Sequence, residues 1–380
     1  MTARENRTKK RLIGIVMPLA QQQGGAETLL MYLLRSKRKT DTYICAFLED
    51  GPLVAEVRAL GISASVFPAT RISDPVNYPL TMLRLTRWMR QKRLAAVLSW
   101  MPKAHLYAGP AALLAGVKAL WFQHSIPDAS RINRIITGIP SKGILCCSGA
   151  AKAAQDAISP RRPSEICYPG VQFPPSGSIE ASFARKQLDL PLDVPIIGMI
   201  ARLERWKGGH VFLEAARILC TMRTSVQFFI VGGPHPRDPG YAEELHVLAA
   251  QPRLRNCFRF VGQIPASEVF LWQAAADVIV HPVTGEEPFG MAIVEAMGMG
   301  KVVVASDAGG PREIIHSGVN GFLVPRGDPN ALAIVAGRLL DFPEERKFVE
   351  HQALQRAHHF SIEAFVKRVQ ELVEIFLQTS

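Results

Sequence analysis

Short apolar runs alternate along this chain with longer stretches whose apolar residues recur every three to four positions. LIGIVM, TYICAFL, AAVLSW, KALWFQ and GILCCS read as buried strands, and ETLLMYLLRS, LVAEVRALG and an Ala-rich segment from Gly149 read as helices among them. Alternation of this kind builds a parallel sheet with crossover helices. The segment CYPGVQFPPSGSIEAS (167–182) gathers Pro, Gly and Ser and reads as a linker. Beyond it the pattern restarts, with PIIGMI, VQFFIVGG, CFRFVG, DVIVHP and KVVVAS as strands. HVFLEAARILC, a stretch near YAEELHVLAA and ASEVFLWQAA read as the helices of this half.

The expected fold is therefore α/β, two doubly wound parallel-sheet domains over 1–173 and 174–360, with a ligand crevice between the carboxyl ends of the two sheets. FSIEAFVKRVQELVEIFLQ predicts a final helix over 361–380, capped by Ser361 with Glu363 in its first turn and packed back on the first domain.

Composition agrees with that size of core: 380 residues, 48% hydrophobic, mean hydropathy +0.10. The six cysteines show no CxxC spacing, so neither a zinc site nor a disulfide framework is legible, and reduced, buried thiols of a cytosolic protein are expected. Arg4, Arg7, Lys9, Lys10 and Arg11 ahead of LIGIVMPLA imitate a signal peptide, but that run is short and leads straight into QQQGGAETLLMYLL, as a first strand does. No apolar stretch is long enough to span a bilayer.

Charge changes the picture more. Residues 1–173 hold 24 Lys+Arg against 10 Asp+Glu, or +14, and residues 174–380 hold 20 against 23, or −3. A basic first half suits a membrane surface, a phosphorylated acceptor or nucleic acid, while a merely solubilising surface is the competing reading. Nucleic acid is set aside, because no interleaved aromatic platform or known module accompanies the charge.

The candidate chemistry lies mainly in EEPFGMAIVEAMGMG (286–300). Glu287 would sit in the loop after a strand, and Glu295 about one turn inside a helix that starts near Met291. The first-turn amides of such a helix suit phosphate, and a carboxylate one turn in suits a vicinal diol such as ribose. A Glu295 that simply answers the helix dipole is the alternative. GMIARLERWKGGHVFLEAA (198–216) places Arg202 and Lys207 around a strand-to-helix loop, either for a pyrophosphate or as solvated charges. QQQGGAET (21–28) puts Gly24, Gly25 and Glu27 at a helix start without the full GxGxxG fingerprint.

The order GGAE, a strand ending at His124, GMIARLERWKGG, IVGGP, FVGQIP, EPFGMAIVEAMGMGKVVVAS and AGGPREII resembles the GT-B glycosyltransferase family 4 of retaining nucleotide-sugar transferases. The resemblance runs from about Lys10 to the final helix, and Glu287 with Glu295 matches the family's E-x7-E motif. It implies a nucleotide sugar held mainly by the second domain and an acceptor held by the first. Arg202 and Lys207 would neutralise the donor diphosphate, Glu295 would hold the ribose, and Glu287 the hydroxyls of the transferred sugar.

By the same resemblance the amides of Phe289, Gly290 and Met291 would complete the sugar and phosphate contacts. Gly24 and Gly25 would approach the donor phosphate, and His124 would lie beside the reacting sugar. Neither a metal nor another cofactor is implied, and no DxD sequence is present. The implied reaction is front-face departure and attack, in which a leaving phosphate oxygen takes the acceptor proton and Glu287 is not a nucleophile. His281 and the QQQ beside GGAE depart from the family pattern.

YPLTMLRLTRWMRQKRL (78–94) predicts a helix with Arg84, Arg87 and Arg90 on one side and Met82, Leu85, Trp88 and Met89 on another. It reads as an interfacial helix on anionic lipid, with Arg84, Arg87, Trp88 and Arg90 as membrane contacts, or as a solvated domain helix. The first reading makes the protein cytoplasmic and peripheral on the inner face of the cell membrane. Its acceptor would be a lipid-linked glycan such as a lipopolysaccharide core or a polyprenyl-linked glycan. A sugar-nucleotide epimerase of GT-B architecture and a non-catalytic nucleotide-sugar-binding module are the rival readings.

Overall fold

The structure is a computed structural model describing residues 10–378 except 22–23, 37–40, 71–72, 160, 176, 224 and 237. Arg4, Arg7 and Lys9 of the basic run, and Gln22 and Gln23 beside GGAE, lie outside the described residues. The chain divides into two compact units, Met1–Gly170 with Ile362–Ser380, and Val171–Ser361. The division falls at Gly170/Val171 rather than after 173, because the Val171 N–H donates to Phe360 O at 2.8 Å and ties that segment to the second unit.

The first unit runs β1 (Leu12–Met17), α1 (Gly25–Arg35), β2 (Thr42–Phe47), α2 (Pro52–Ala59), β3 (Ala64–Val66) and α3 (Asn77–Lys92). It continues with β4 (Ala96–Ser99), α4 (Pro102–Ala115), β5 (Lys118–Gln123), α5 (Arg131–Gly138), β6 (Gly143–Cys146), α6 (Gly149–Ile158) and β7 (Ser164–Ile166). Its seven strands order as β3-β2-β1-β4-β5-β6-β7. The paired strands are parallel, and Ile13, Ile15 and Val16 of β1 are fully buried. Helices covering both faces explain why these strands read as continuous apolar runs instead of alternating ones.

The second unit holds α7 (Ala181–Gln187), β8 (Ile196–Ile200), α8 (Gly209–Met222), β9 (Gln227–Val231), α9 (Gly240–Ala249), β10 (Phe258–Gly262) and α10 (Ala266–Ala275). It continues with β11 (Val278–His281), α11 (Met291–Gly298), β12 (Val302–Ser306), α12 (Pro311–Ile314), β13 (Phe322–Val324), α13 (Pro329–Asp341) and α14 (Pro343–Ala357). The last helix, α15 (Ile362–Gln378), returns to the first unit and packs on α1, β5 and β6. The second sheet orders as β10-β9-β8-β11-β12-β13. Its core gathers Ile197, Phe228, Val278, Val280 and Val302 with Phe212 and Leu213 of α8.

In each unit the strand order reverses once, between β1 and β4 in the first sheet and between β8 and β11 in the second. Loops leaving the carboxyl ends of neighbouring strands diverge at such a point, which is where open α/β sheets receive ligands.

Candidate active site

In the second unit the loops after β8 and β11 leave the switch point side by side, because these strands pair from Val278↔Ile197 to Val280↔Met199. The β8 loop turns through Arg205–Lys207 and ends at Gly208, whose φ of +78° is left-handed. A Cβ there would lie 1.8 Å from the Pro282 carbonyl oxygen, so only glycine lets this loop rest against the exit of β11. The Thr284 N–H fastens the contact by donating to Trp206 O at 2.8 Å.

This closeness brings Lys207 Nζ to 2.5 Å from Glu287 Oε2. His281 Nε2 lies 2.9 Å from the same oxygen. A carboxylate only accepts, so His281 holds its proton on Nε2 and donates it. Burial alone would raise the Glu287 carboxyl. The Lys207 ammonium and the His281 hydrogen bond outweigh it and hold the group at about 2. Glu287 is thus a fixed carboxylate with both donors on one oxygen. Glu286 turns instead to Arg326, 2.6 Å away.

The loop is braced from its other side as well. The Gly310 N–H donates to Glu287 O at 2.8 Å. A Cβ on Gly310 would lie 2.4 Å from Phe289 Cα. Phe289 is buried, edge-on to Phe360 at 5.4 Å. Gly290 precedes α11 with no side-chain cap, and the Ile293 N–H already donates to Gly290 O at 3.0 Å, so it is the Met291 and Ala292 N–H groups that keep the donor capacity and positive end of an uncapped terminus.

Glu295, the fifth residue of α11, retains some solvent exposure, yet enough protein surrounds its carboxyl that burial raises it to about 7. Among the described residues that carboxyl makes no hydrogen bond or ion pair. Arg202 emerges from the same loop as Lys207, pairs with Glu204 at 2.8 Å and stays half exposed. The second unit therefore gathers Lys207 and Glu287 directly, holds Phe289, Gly290, Met291 and Glu295 on one loop and helix, and keeps Arg202 apart on its own ion pair.

In the first unit, Gly24 is the uncapped, extended residue ahead of α1, which Gly25 begins. Thr28 Oγ1 donates to Gly24 O at 3.2 Å, and Glu27 is buried at the helix start. His124 follows β5, and its ring stacks on Phe122 at 4.1 Å. Burial pulls the imidazole down to about 3 against a bond to the Trp100 backbone, so His124 is neutral at physiological pH. Its Nε2 is buried without a protein partner.

Trp100, which sequence reasoning passed over, joins these two places. It leaves β4, donates from Nε1 to Ala26 O at 2.7 Å, and lies 5.5 Å from the His124 ring. Its only sequence signal is an aromatic at the end of an apolar strand.

The predicted membrane helix forms as α3, with Arg84, Arg87 and Arg90 exposed, but Trp88 is not a surface residue. Only 5% of Trp88 is accessible, because it fills the space left by Gly14 of β1 and meets Phe67 edge-on at 6.0 Å. The apolar side of α3 covers its own sheet. What α3 shows to solvent is Leu80 and Leu83 among the arginines, continued by Leu113 and Leu114 of α4 and Ile132 and Ile135 of α5. α4 packs against both α3 and α5. No helix among the described residues is long and apolar enough to cross a membrane.

Comparison with known proteins sets this geometry beside others. The pattern of the family described as glycosyl transferases group 1 matches residues 180–356. The chain is 33% identical over 345 residues to the D-inositol 3-phosphate glycosyltransferase of Corynebacterium urealyticum, covering 89% of this chain and 77% of that protein. It is 31% identical over 217 residues to the protein of the same name from Thermomonospora curvata, covering 54% of this chain and 50% of that one. Among solved structures, HepE of Anabaena in complex with UDP and glucose superposes with a TM-score of 0.84 at 23% identity, over 96% of this chain and 99% of that one. The lipopolysaccharide outer core galactosyltransferase WaaB superposes with a TM-score of 0.75 at 16% identity, over 96% and 99%. These superpositions establish the GT-B fold.

Proposed function

The chain belongs to the glycosyl transferases group 1 family and is a glycosyltransferase, and from that premise we propose that it moves a hexose, with retention and without a metal ion, from a nucleoside diphosphate sugar to a lipid-linked glycan. The observation that carries this reading is the set of groups around the E-x7-E loop. Lys207 is a fixed cation for a diphosphate, and the uncapped start of α11 offers amides to it. Glu287 keeps Oε1 for sugar hydroxyls, because Lys207 and His281 both occupy Oε2. Glu295, with no protein donor on its carboxyl, is suited to a ribose diol. UDP is the favoured donor carrier, on the analogy of the HepE complex.

Held at about 2, Glu287 has no proton to give, so it orients the sugar and eases positive charge developing there. The neutral His124 spends its ring N–H on the Trp100 backbone and offers Nε2 as an acceptor for a sugar hydroxyl, in place of a charge. The leaving phosphate then takes the acceptor proton while Lys207, Arg202 and the α11 amides stabilise the diphosphate. The acceptor is assigned to the first unit, whose basic and apolar helices suit attachment to the inner face of an anionic membrane. A second reading, a soluble inositol phosphate acceptor, is favoured by the names of the relatives.

The test is turnover with UDP-, GDP- and ADP-hexoses, each offered a lipid-linked glycan or inositol 3-phosphate, with chelator present throughout. Nucleoside diphosphate release that requires the glycolipid, survives the chelator and gives the donor's anomeric configuration is the expected result. Transfer to inositol 3-phosphate alone would replace the acceptor, and release abolished by the chelator would sink the metal-free assignment.

A further inference from the structure

Two thiols lie apart from the loops described above, and they do not match the buried pattern expected of all six cysteines. Cys45, Cys146, Cys147 and Cys167 are buried, whereas Cys220 and Cys257 are only half-buried. Their sulfurs stand 3.6 Å apart, although the residues are 37 positions apart in sequence. Cys220 sits in the last turn of α8, and Cys257 immediately precedes β10, an edge strand of the second sheet. Both line an open pocket of about 540 Å³ together with Arg253 and Asn256.

We propose that Cys220 and Cys257 form a reversible thiol–disulfide site whose co-reactant is a small, anionic, low-molecular-weight disulfide admitted by this pocket. The sulfurs are already in contact at 3.6 Å, and a disulfide draws such a pair in to about 2.0 Å. The two thiols are also chemically unequal. The hydrogen bond between the two sulfurs and the nearby Arg253 draw the Cys220 thiol below its ordinary value, against burial, while the same bond and burial push Cys257 up. Cys220 is accordingly the attacking sulfur and Cys257 the resolving one.

The exchange balances without any other reagent. The Cys220 thiolate attacks one sulfur of the small disulfide, that S–S bond breaks, and the first small thiolate leaves. Cys257 then gives up its proton and attacks the Cys220 sulfur of the mixed disulfide, releasing the second small thiolate. Both protein thiols are oxidised, the small disulfide is reduced to two thiols, and the two protons end on the leaving thiolates. The product fastens the end of α8 to the start of an edge strand, which restrains the second unit at the end of α8 remote from Lys207.

The experiment treats the full-length protein with oxidised glutathione under native conditions, followed by intact mass, peptide mapping and melting temperature. The expected wild-type product has lost two hydrogens, carries a Cys220–Cys257 cross-link, and melts several degrees higher until dithiothreitol reverses the change. C257S is expected to stop at a glutathione adduct on Cys220, and C220S to give no cross-link. Retention of all six thiols in the wild type, an adduct that never closes, or oxidation at Cys45, Cys146, Cys147 or Cys167 in preference to this pair would each overturn the assignment.

Discussion

Glu287 shows how one residue's neighbours decide its chemistry. With its carboxyl held at about 2 against an ordinary value of 4.5, it adds stability above the ordinary value and loses it as pH falls toward 2. Lys207→Met keeps a stem of similar length and removes the cation, leaving a buried carboxylate with His281 as its remaining donor. The Glu287 carboxyl then titrates higher and the acid loss of stability begins at higher pH. Urea unfolding near neutral pH is expected to show a loss of about 3–5 kcal/mol, the scale of a broken buried pair. An unaltered acid limb and an unaltered midpoint would show that the pair does not hold in solution. Glu295 has the opposite sign: burial lifts it to about 7, so its contribution weakens as pH rises from 4.5 through that value. The spacing of the two glutamates was readable in the sequence, but the convergence on Oε2 was not. His281 stood out there only as a departure, since what its ring touches depends on how β11 exits beside Lys207.

Among the elements, it is the loops at the switch points that place these side chains. Gly208 and Gly262 test this, because both have left-handed φ, +78° and +81°, and differ in what surrounds them. A Cβ at Gly208 meets the Pro282 oxygen at 1.8 Å, whereas one at Gly262 meets nothing within 4 Å. Alanine at either position costs about 1–2 kcal/mol for the backbone alone. Gly208→Ala must also push the Lys207 loop off the exit of β11, so it is expected to lose nucleotide-sugar affinity at least tenfold while Gly262→Ala keeps it. Calorimetric titration of both variants checks this, and equal affinities would remove Gly208 from the positioning of Lys207. The strands that build these switch points were legible as uninterrupted apolar runs. The three-residue strands β3, β7 and β13 were not, being too short to show a period. Helix α4 escaped for another reason: nearly every residue from Ala104 to Ala112 is buried, so it has no polar stripe to mark it.

Across the whole molecule, the charge division seen in the sequence acquires a location. Helices α3, α4 and α5 carry seven Lys or Arg residues and no Asp or Glu. Their exposed side adds Leu83, 57% accessible, and Leu113, 64% accessible. Amphipathic spacing in α3 announced an apolar side but could not say that the protein's own sheet covers it. The membrane reading therefore rests on the arginines and on the leucines that remain outside, and no longer on Trp88. Each cation near an anionic leaflet contributes about 1 kcal/mol, so Arg84→Gln with Arg87→Gln is expected to weaken sedimentation with anionic vesicles by about 2 kcal/mol, roughly thirtyfold, in low salt. Added salt shrinks that difference, because exposed charges are screened. Leu83→Ser weakens binding at any salt concentration, since it removes apolar contact and no charge. Trp88→Phe, on the side that faces Gly14, leaves vesicle binding as it was. If Trp88→Phe reduced binding as much as the arginine pair did, α3 would have to turn its inner face to lipid, and the packing of that helix on its own sheet would not persist at a membrane.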